Sequence, residues 1–299
     1  MRVFVTGATG FIGTRVVREL LAHGHEVTGL CRSEDKARSL AALGAAAYRG
    51  SLEQPDSLRA GAAQADAVIH TAFDHDFAHF AANCEKDYRA IHALGSALAG
   101  SDRPLLITSG TGMGSPGAGL PAREDVLNLD HPNPRLASER AGQELLDAGV
   151  AVSVVRLPQV HDTTRQGLVS PWIQMARARG VCAYVGDGRN RWPAAHVQDV
   201  ARLYRLALEH RMPGARYHAV AEQGIAACDI ARVLGERLDL PVISIAAADA
   251  PDYFGWLAAF VAMDLPASSE WTRRTLGWDT SGPGLLDDLE RLELQADAA

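Results

Sequence analysis

Apolar positions in the first half of the chain follow two alternating rhythms. The run Arg2-Val3-Phe4-Val5-Thr6 ends at a glycine and reads as a buried strand. Phe11, Ile12, Val16, Val17, Leu20 and Leu21 then recur at helical spacing, which predicts a helix over 11–23. Further strands are predicted at 26–30, 67–70, 105–108 and 150–155, and further helices at 33–43, 77–98 and 136–148. Ser33 stands at the expected N-cap of the helix over 33–43. Parallel strands need a crossover, usually helical, so this alternation predicts an α/β chain with a doubly wound parallel sheet covered on both faces.

Beyond Leu157 the rhythm breaks up. Helical patterns at 169–179, 197–209 and 227–238 are interspersed with short strand-like runs at 216–220 and 242–245. All five tryptophans, Trp172, Trp192, Trp256, Trp271 and Trp278, fall in this half. The expected division is a nucleotide-binding sheet over 1–157 and a smaller α/β substrate-binding part over 158–299. No Gly/Ser- or Pro-rich linker separates them, so they are expected to pack as one body. By default the tryptophans read as core, except Trp192, which stands in a glycine-rich stretch and could stack on a planar substrate.

Composition narrows the classes. Of 299 residues 47% are hydrophobic and 22% charged, with a net charge of −7. That apolar fraction excludes a disordered chain. The mild acidity argues against nucleic acid as the partner, and without a run of about eighteen apolar residues no membrane helix is expected. Cys31, Cys84, Cys182 and Cys228 are far apart in sequence, which suits reduced thiols. No signal sequence is expected ahead of the first strand, so the reading is cytoplasmic.

The candidate chemistry begins at Thr6-Gly7-Ala8-Thr9-Gly10-Phe11-Ile12-Gly13, between the first strand and the first helix. Glycines there allow a tight turn and close approach of backbone to phosphate. The helix N-terminus adds free N–H groups and a positive dipole end. The string resembles the fingerprint of the extended branch of the short-chain dehydrogenase/reductase superfamily. Gly50-Ser51-Leu52, Val68-Ile69-His70-Thr71-Ala72, His196-Val197-Gln198-Asp199-Val200-Ala201 and Thr275-Leu276-Gly277-Trp278 resemble other elements of that branch. The resemblance implies a Rossmann-type fold and a nicotinamide dinucleotide held by Gly7, Thr9, Gly10, Phe11, Ile12 and Gly13. Ser51 and Leu52 would lie near the adenine, with Thr71, Ala72 and Pro158 also on the cofactor. Homodimers through two long helices are usual in such proteins.

The second strand ends in Leu30-Cys31-Arg32-Ser33, with a cation where an NAD site would carry a carboxylate. Arg32 suits a 2′-phosphate, so the expected cofactor is NADP (NADPH) rather than NAD. In the other reading Arg32 is solvated and Glu34 or Asp35 takes the ribose. Arg15 is a further candidate contact.

The branch uses a Ser or Thr after the fifth strand and a Tyr-x-x-x-Lys on the next helix. The hydroxyl part survives in Thr108, Ser109 and Thr111, but Arg135 and Glu139 occupy the tyrosine and lysine positions. Arginine is no proton donor near neutral pH, yet it can clamp an anion or stabilise an oxyanion. Alternatively, Arg135 and Glu139 only pair with each other at i, i+4. His161 and water are the other candidate acids. His75 and His79 have metal-ligand spacing but no third ligand is identifiable, so no metal is expected; a histidine lining the mouth of the site fits better. The reading favoured is an NADP-dependent oxidoreductase acting on a small carbonyl compound or activated double bond. An epimerase or dehydratase, or a non-catalytic NADP sensor, are the alternatives.

Overall fold

The computed structural model describes residues 1–293. Its first part runs β1 (Arg2–Thr6), α1 (Phe11–Ala22), β2 (Glu26–Cys31), α2 (Glu34–Ala42), β3 (Ala46–Arg49), α3 (Pro55–Ala63), β4 (Ala67–His70), α4 (Phe80–Ser96), β5 (Leu105–Gly110), α5 (Leu136–Asp147) and β6 (Val152–Leu157). There follow β7 (Gln159–His161), α6 (Val169–Arg179), β8 (Cys182–Val185), β9 (Arg191–His196), α7 (Val197–His210), β10 (Arg216–His218), β11 (Glu222–Ala226), α8 (Ala227–Leu238) and β12 (Val242–Ile245). Four short helices complete the described chain: α9 (Ala250–Phe254), α10 (Ala258–Val261), α11 (Glu270–Leu276) and α12 (Leu285–Glu290).

Seven strands form one sheet in the order β10-β6-β5-β4-β1-β2-β3, and each pairing in it is parallel. Strand order reverses between β1 and β4, the crevice where such sheets place ligands. Helices cover both faces, so central strands are buried on both sides: all of β4 is buried. This explains why they read as continuous apolar runs. The expected doubly wound sheet is therefore present. Two elements gave no clear signal in the sequence. β3 is an edge strand, largely exposed, with no apolar run to betray it. The Ala- and Gly-rich α3 carries only a faint apolar stripe.

The chain does not divide in space at residue 157. Although α7 and β10 lie beyond it, β10 joins the large sheet. Val200, Tyr204, Tyr217 and Trp278 share one core with Val3, Val5 and Val16. The other C-terminal elements build a second core around the three-stranded β11-β9-β7 and two-stranded β12-β8 sheets. Trp172 and Trp192 meet there edge to face at 5.9 Å. Trp192 is thus a core residue, 1% exposed, and not a platform for substrate. Among the described residues no helix is long and apolar enough to cross a membrane.

Beneath the sheet lies a charge cluster. Arg156, fully buried, donates from Nε to Glu139 Oε1 at 2.7 Å and reaches the carbonyl of Val126 at 2.9 Å. Arg216 donates to Glu139 Oε2 at 3.2 Å, and His218 Nε2 lies 3.3 Å from Arg156 Nη1. Burial would raise the Glu139 pKa, but the two arginines outweigh it and hold it below its ordinary value. Burial, then the Arg156 charge, pushes His218 down to about 3.

These shifts set a pH dependence. An unfolded histidine titrates near about 6.5, so between that pH and about 3 the unfolded chain binds the proton that native His218 refuses. Stability is therefore full above about pH 6.5 and is lost as pH falls. Glu139, also depressed, adds its loss only below about pH 4.3. Urea unfolding at pH 7.5 and pH 5 should show a loss of stability in the wild type and a smaller loss in His218→Asn. Equal losses would contradict this account of the cluster.

Candidate active site

The glycine turn sits at the carboxyl end of β1, at the switch point. Gly7 has φ +68°, and a Cβ there would come 2.7 Å from the Ala72 nitrogen and the Thr71 hydroxyl. A Cβ on Gly13 would fall 2.0 Å from the Gly7 carbonyl. Both positions therefore need glycine, the first for its backbone conformation and both for close packing. Gly10 is exposed and caps α1 without any side-chain hydrogen bond, so the first-turn N–H groups, those of Phe11, Ile12 and Gly13, are left for an anion. Thr9 lies half-buried in the same turn. Thr71 donates its hydroxyl to the Thr6 carbonyl at 2.8 Å, which fixes the segment after β4 against the turn.

Arg32 is exposed at the tip of β2, and its guanidinium makes no hydrogen bond or ion pair among the described residues. The two carboxylates that would compete for a ribose are engaged: Glu34 with Arg49 at 3.7 Å and Asp35 with Arg38. Ser51 donates to Glu53 at 2.8 Å. Lys86 on α4 ties Glu53 to Asp74 at 3.1 and 2.7 Å, which anchors the Ser51-Leu52 loop. Arg15 is not available as a second contact for phosphate, because it donates to Asp162 at 2.9 Å and lies over the Phe11 ring.

A buried polar chain connects the turn to Arg135. Thr6 Oγ1 lies 2.6 Å from His70 Nδ1, and His70 Nε2 lies 2.9 Å from Asp87 Oδ1. Asp87 Oδ2 accepts from Arg135 Nη1 and from the Ser138 hydroxyl, both at 2.6 Å. Arg135 also bonds Ser138 directly and donates from Nη2 to the Thr108 carbonyl at 3.0 Å. Burial alone would raise the Asp87 pKa; Arg135 first, then His70 and Ser138, hold it well below the ordinary carboxylate range. The guanidinium lies 4.1 Å over the Phe73 ring. Three of its five donors are used, so two remain. The suggested Arg135–Glu139 pair does not form, since Glu139 belongs to the Arg156 cluster on the other side of the helix.

The remaining predicted residues separate clearly. Thr108 Oγ1 donates to the His70 carbonyl at 2.7 Å and meets the buried Tyr204 hydroxyl at 2.6 Å, so it is spent on structure. Ser109 Oγ is buried without a well-formed hydrogen bond, beside the Glu139 carboxylate, which it helps to hold down. Thr111 follows β5 at its carboxyl end, and its hydroxyl has no partner among the described residues. His161 is corrected as a proton donor. It is fully buried, with Nδ1 at 2.6 Å from Asp288 Oδ2, because β7 leads into the second core and α12 closes over it. Pro158 lies half-buried between β6 and β7. His79 pairs with Asp76 at 2.8 Å in the open. His75 packs edge to face on Phe73 at 5.1 Å, and its surroundings, then Arg135 and Arg165, lower its pKa.

Sequence reasoning missed two features. Asp87 and His70 are 17 positions apart on different elements, and no spacing rule joins them. The other is a cleft of about 380 Å³ between the 3-10 turn at Phe77–His79 and α10. Phe77, Phe80, Trp256 and Phe260 line it, together with His131. The i, i+4 spacing of Trp256 and Phe260 was the available signal, hidden by reading tryptophans as core.

The model of the NAD dependent epimerase/dehydratase family matches residues 3–220. An uncharacterized protein of Schizosaccharomyces pombe is 45% identical over 291 residues, which is 97% of this chain and 98% of that one. The 2-alkyl-3-oxoalkanoate reductase of Stenotrophomonas maltophilia is 26% identical over 234 residues, 72% of this chain and 67% of that enzyme. Among solved structures, the dTDP-glucose 4,6-dehydratase of Streptomyces venezuelae superposes with a TM-score of 0.78 at 19% identity, over 97% of this chain and 95% of that one, and so shares the fold. The glycine turn, the sheet order and these matches agree: the chain belongs to the NAD-dependent epimerase/dehydratase family, within the extended short-chain dehydrogenase/reductases.

Proposed function

We propose that the protein is an NADP-dependent reductase that adds hydride to a small carbonyl compound or an activated double bond, with Arg135 in place of the usual tyrosine. The observation that carries this reading is the uncapped glycine turn at the β1–β4 switch point, with the Arg135 network joined to it through Thr6, His70 and Asp87. The cradle fits a dinucleotide: Gly7 and Gly13 leave no room for side chains of their own, and the exposed α1 N-terminus faces anions. The name of the Stenotrophomonas maltophilia relative supports reduction over epimerisation, as does the loss of a tyrosine base.

In this reading the first-turn amides of Phe11, Ile12 and Gly13 hold the pyrophosphate, and Arg32 holds the 2′-phosphate. NADPH, when bound, supplies the hydride. The free Thr111 hydroxyl and the two spare donors of Arg135 hold the acceptor oxygen and stabilise the charge that builds on it. Asp87 keeps the guanidinium in position. Water supplies the proton, since no free acid stands nearby: His161 is sealed against Asp288. Positioning accounts for much of the rate, and without a positioned acid, worth about 10²–10⁴-fold, the enzyme should be slow.

Three outcomes are expected. Gly10→Asp should abolish NADPH binding in a folded protein, as measured by calorimetry; unchanged affinity would remove the loop from the cofactor site. Titration of both cofactors should show a preference for NADP that Arg32→Ala reduces about ten- to a hundredfold, since a charge-assisted contact is worth roughly 1.5–3 kcal/mol. An intact preference in the variant would exclude Arg32. With a substrate in hand, Arg135→Lys should lower kcat by roughly 10²-fold, with NADPH affinity within a few-fold. Tyr88→Phe should leave kcat alone, because Tyr88 only donates to Glu144 between α4 and α5. A larger loss in Tyr88→Phe than in Arg135→Lys would show that the chemistry lies elsewhere.

A further inference from the structure

The cleft beside Arg135 has walls from three separate segments. Phe77 and Phe80 come from the turn after β4 and the start of α4. His131 and the residues after it run directly into Arg135. Trp256, Phe260 and Met263 come from the C-terminal part. No lysine, arginine, aspartate or glutamate lines it, and its volume of about 380 Å³ lies within the range of small-molecule sites.

Its rings are ordered. Phe77 and Trp256 stack at 4.3 Å with their planes 8° apart. Phe260 stands edge-on to both, at 6.1 and 6.2 Å. Phe80 stacks on Phe77 at 5.5 Å and meets Phe73 at 6.1 Å, and Phe73 is the ring that carries the Arg135 guanidinium. An unbroken aromatic path thus runs from the rim to Arg135. Trp256 remains 40% exposed at that rim, while Trp172, Trp192 and Trp278 are buried. An indole left open over an apolar cleft costs hydration free energy that a ligand would recover.

One polar side chain of the lining stands out. His131 Nδ1 accepts from the Asn133 N–H at 3.1 Å, which leaves the proton on Nε2. Burial lowers its pKa, so the ring is neutral near pH 7 and offers a single N–H donor. That donor has no partner among the described residues.

We infer that this cleft is the substrate site of the reductase and takes an uncharged, planar aromatic aldehyde or ketone, its ring packed on the Phe77–Trp256 stack and its oxygen accepting from His131 and Arg135. The assignment rests on the reductase reading above. The carbonyl carbon gains the hydride of NADPH and the oxygen gains a proton from water, giving an aromatic alcohol and NADP⁺. A sugar nucleotide is the wrong chemistry for this lining. Its diphosphate needs free cations, and Arg135 is already paired with Asp87.

Calorimetric titration of the NADP⁺-saturated protein tests this with two probes, 2-naphthaldehyde and UDP-glucose. The aldehyde should bind and UDP-glucose should give no heat of binding. Trp256→Ala should weaken the aldehyde about tenfold, the equivalent of one aromatic contact of roughly 1.5 kcal/mol, and Trp256→Phe should restore most of it. Both variants should keep NADP⁺ affinity, which controls for folding. Phe77→Ala, from the opposite wall, should weaken the aldehyde likewise. Binding of UDP-glucose, no binding of the aldehyde, or aldehyde affinity indifferent to Trp256→Ala and Phe77→Ala would each overturn the assignment. NADPH oxidation is read separately: aldehyde that binds through Trp256 but is not reduced supports the site and defeats the reductase reading.

Discussion

The Asp87 carboxylate is 1% exposed, and the arrangement of the whole site depends on keeping it charged there. A lone buried carboxylate costs several kcal/mol, so it persists only when paired and fully hydrogen-bonded. His70 on β4, Arg135 before α5 and Ser138 on α5 meet that requirement from three directions. Through His70 the same anion reaches Thr6, one residue before the glycine turn. One carboxylate therefore fixes the ends of β1 and β4 and the start of α5 relative to each other. Those are the elements that position the turn and the arginine.

This constraint gives the substitution of tyrosine by arginine a physical sense. A neutral tyrosine would leave Asp87 short of a cation. Arg135 neutralises it and still carries two donors, so one residue serves both packing and the site. The lysine position has gone the other way. Glu139 turns under the sheet and balances Arg156 and Arg216, leaving no charge from that helix position on the site. The two replacements are separate adaptations, one to a buried anion and one to buried cations.

Much of the fold was legible because its central strands are buried on both faces and its helices keep a clean apolar stripe. Val169–Arg179, Ala227–Leu238 and Val242–Ile245 fall where periodicity places them. β3 escaped because an edge strand needs no apolar run. The glycine turn was legible because Gly7 and Gly13 answer to local backbone geometry, which sequence encodes directly. Side-chain partners were less so. Thr108, Arg135 and His161 were each visible as candidates, but their partners, Tyr204, Asp87 and Asp288, lie 96, 48 and 127 positions away. Only the fold brings them together. Trp192 and Trp256 exchanged roles for the same reason: a tryptophan's local sequence does not say which of its neighbours is solvent.

The central claim is that the glycine turn, Arg32 and Arg135 act on one bound nucleotide. A crystal structure with NADP⁺ tests it most directly. The account predicts the pyrophosphate on the amides of Phe11–Gly13, the 2′-phosphate on Arg32, and the nicotinamide facing Arg135 and Thr111 at the inner end of the aromatic cleft. A nucleotide bound away from the β1–β4 crevice, or a nicotinamide turned from Arg135 with the cleft out of its reach, would contradict it.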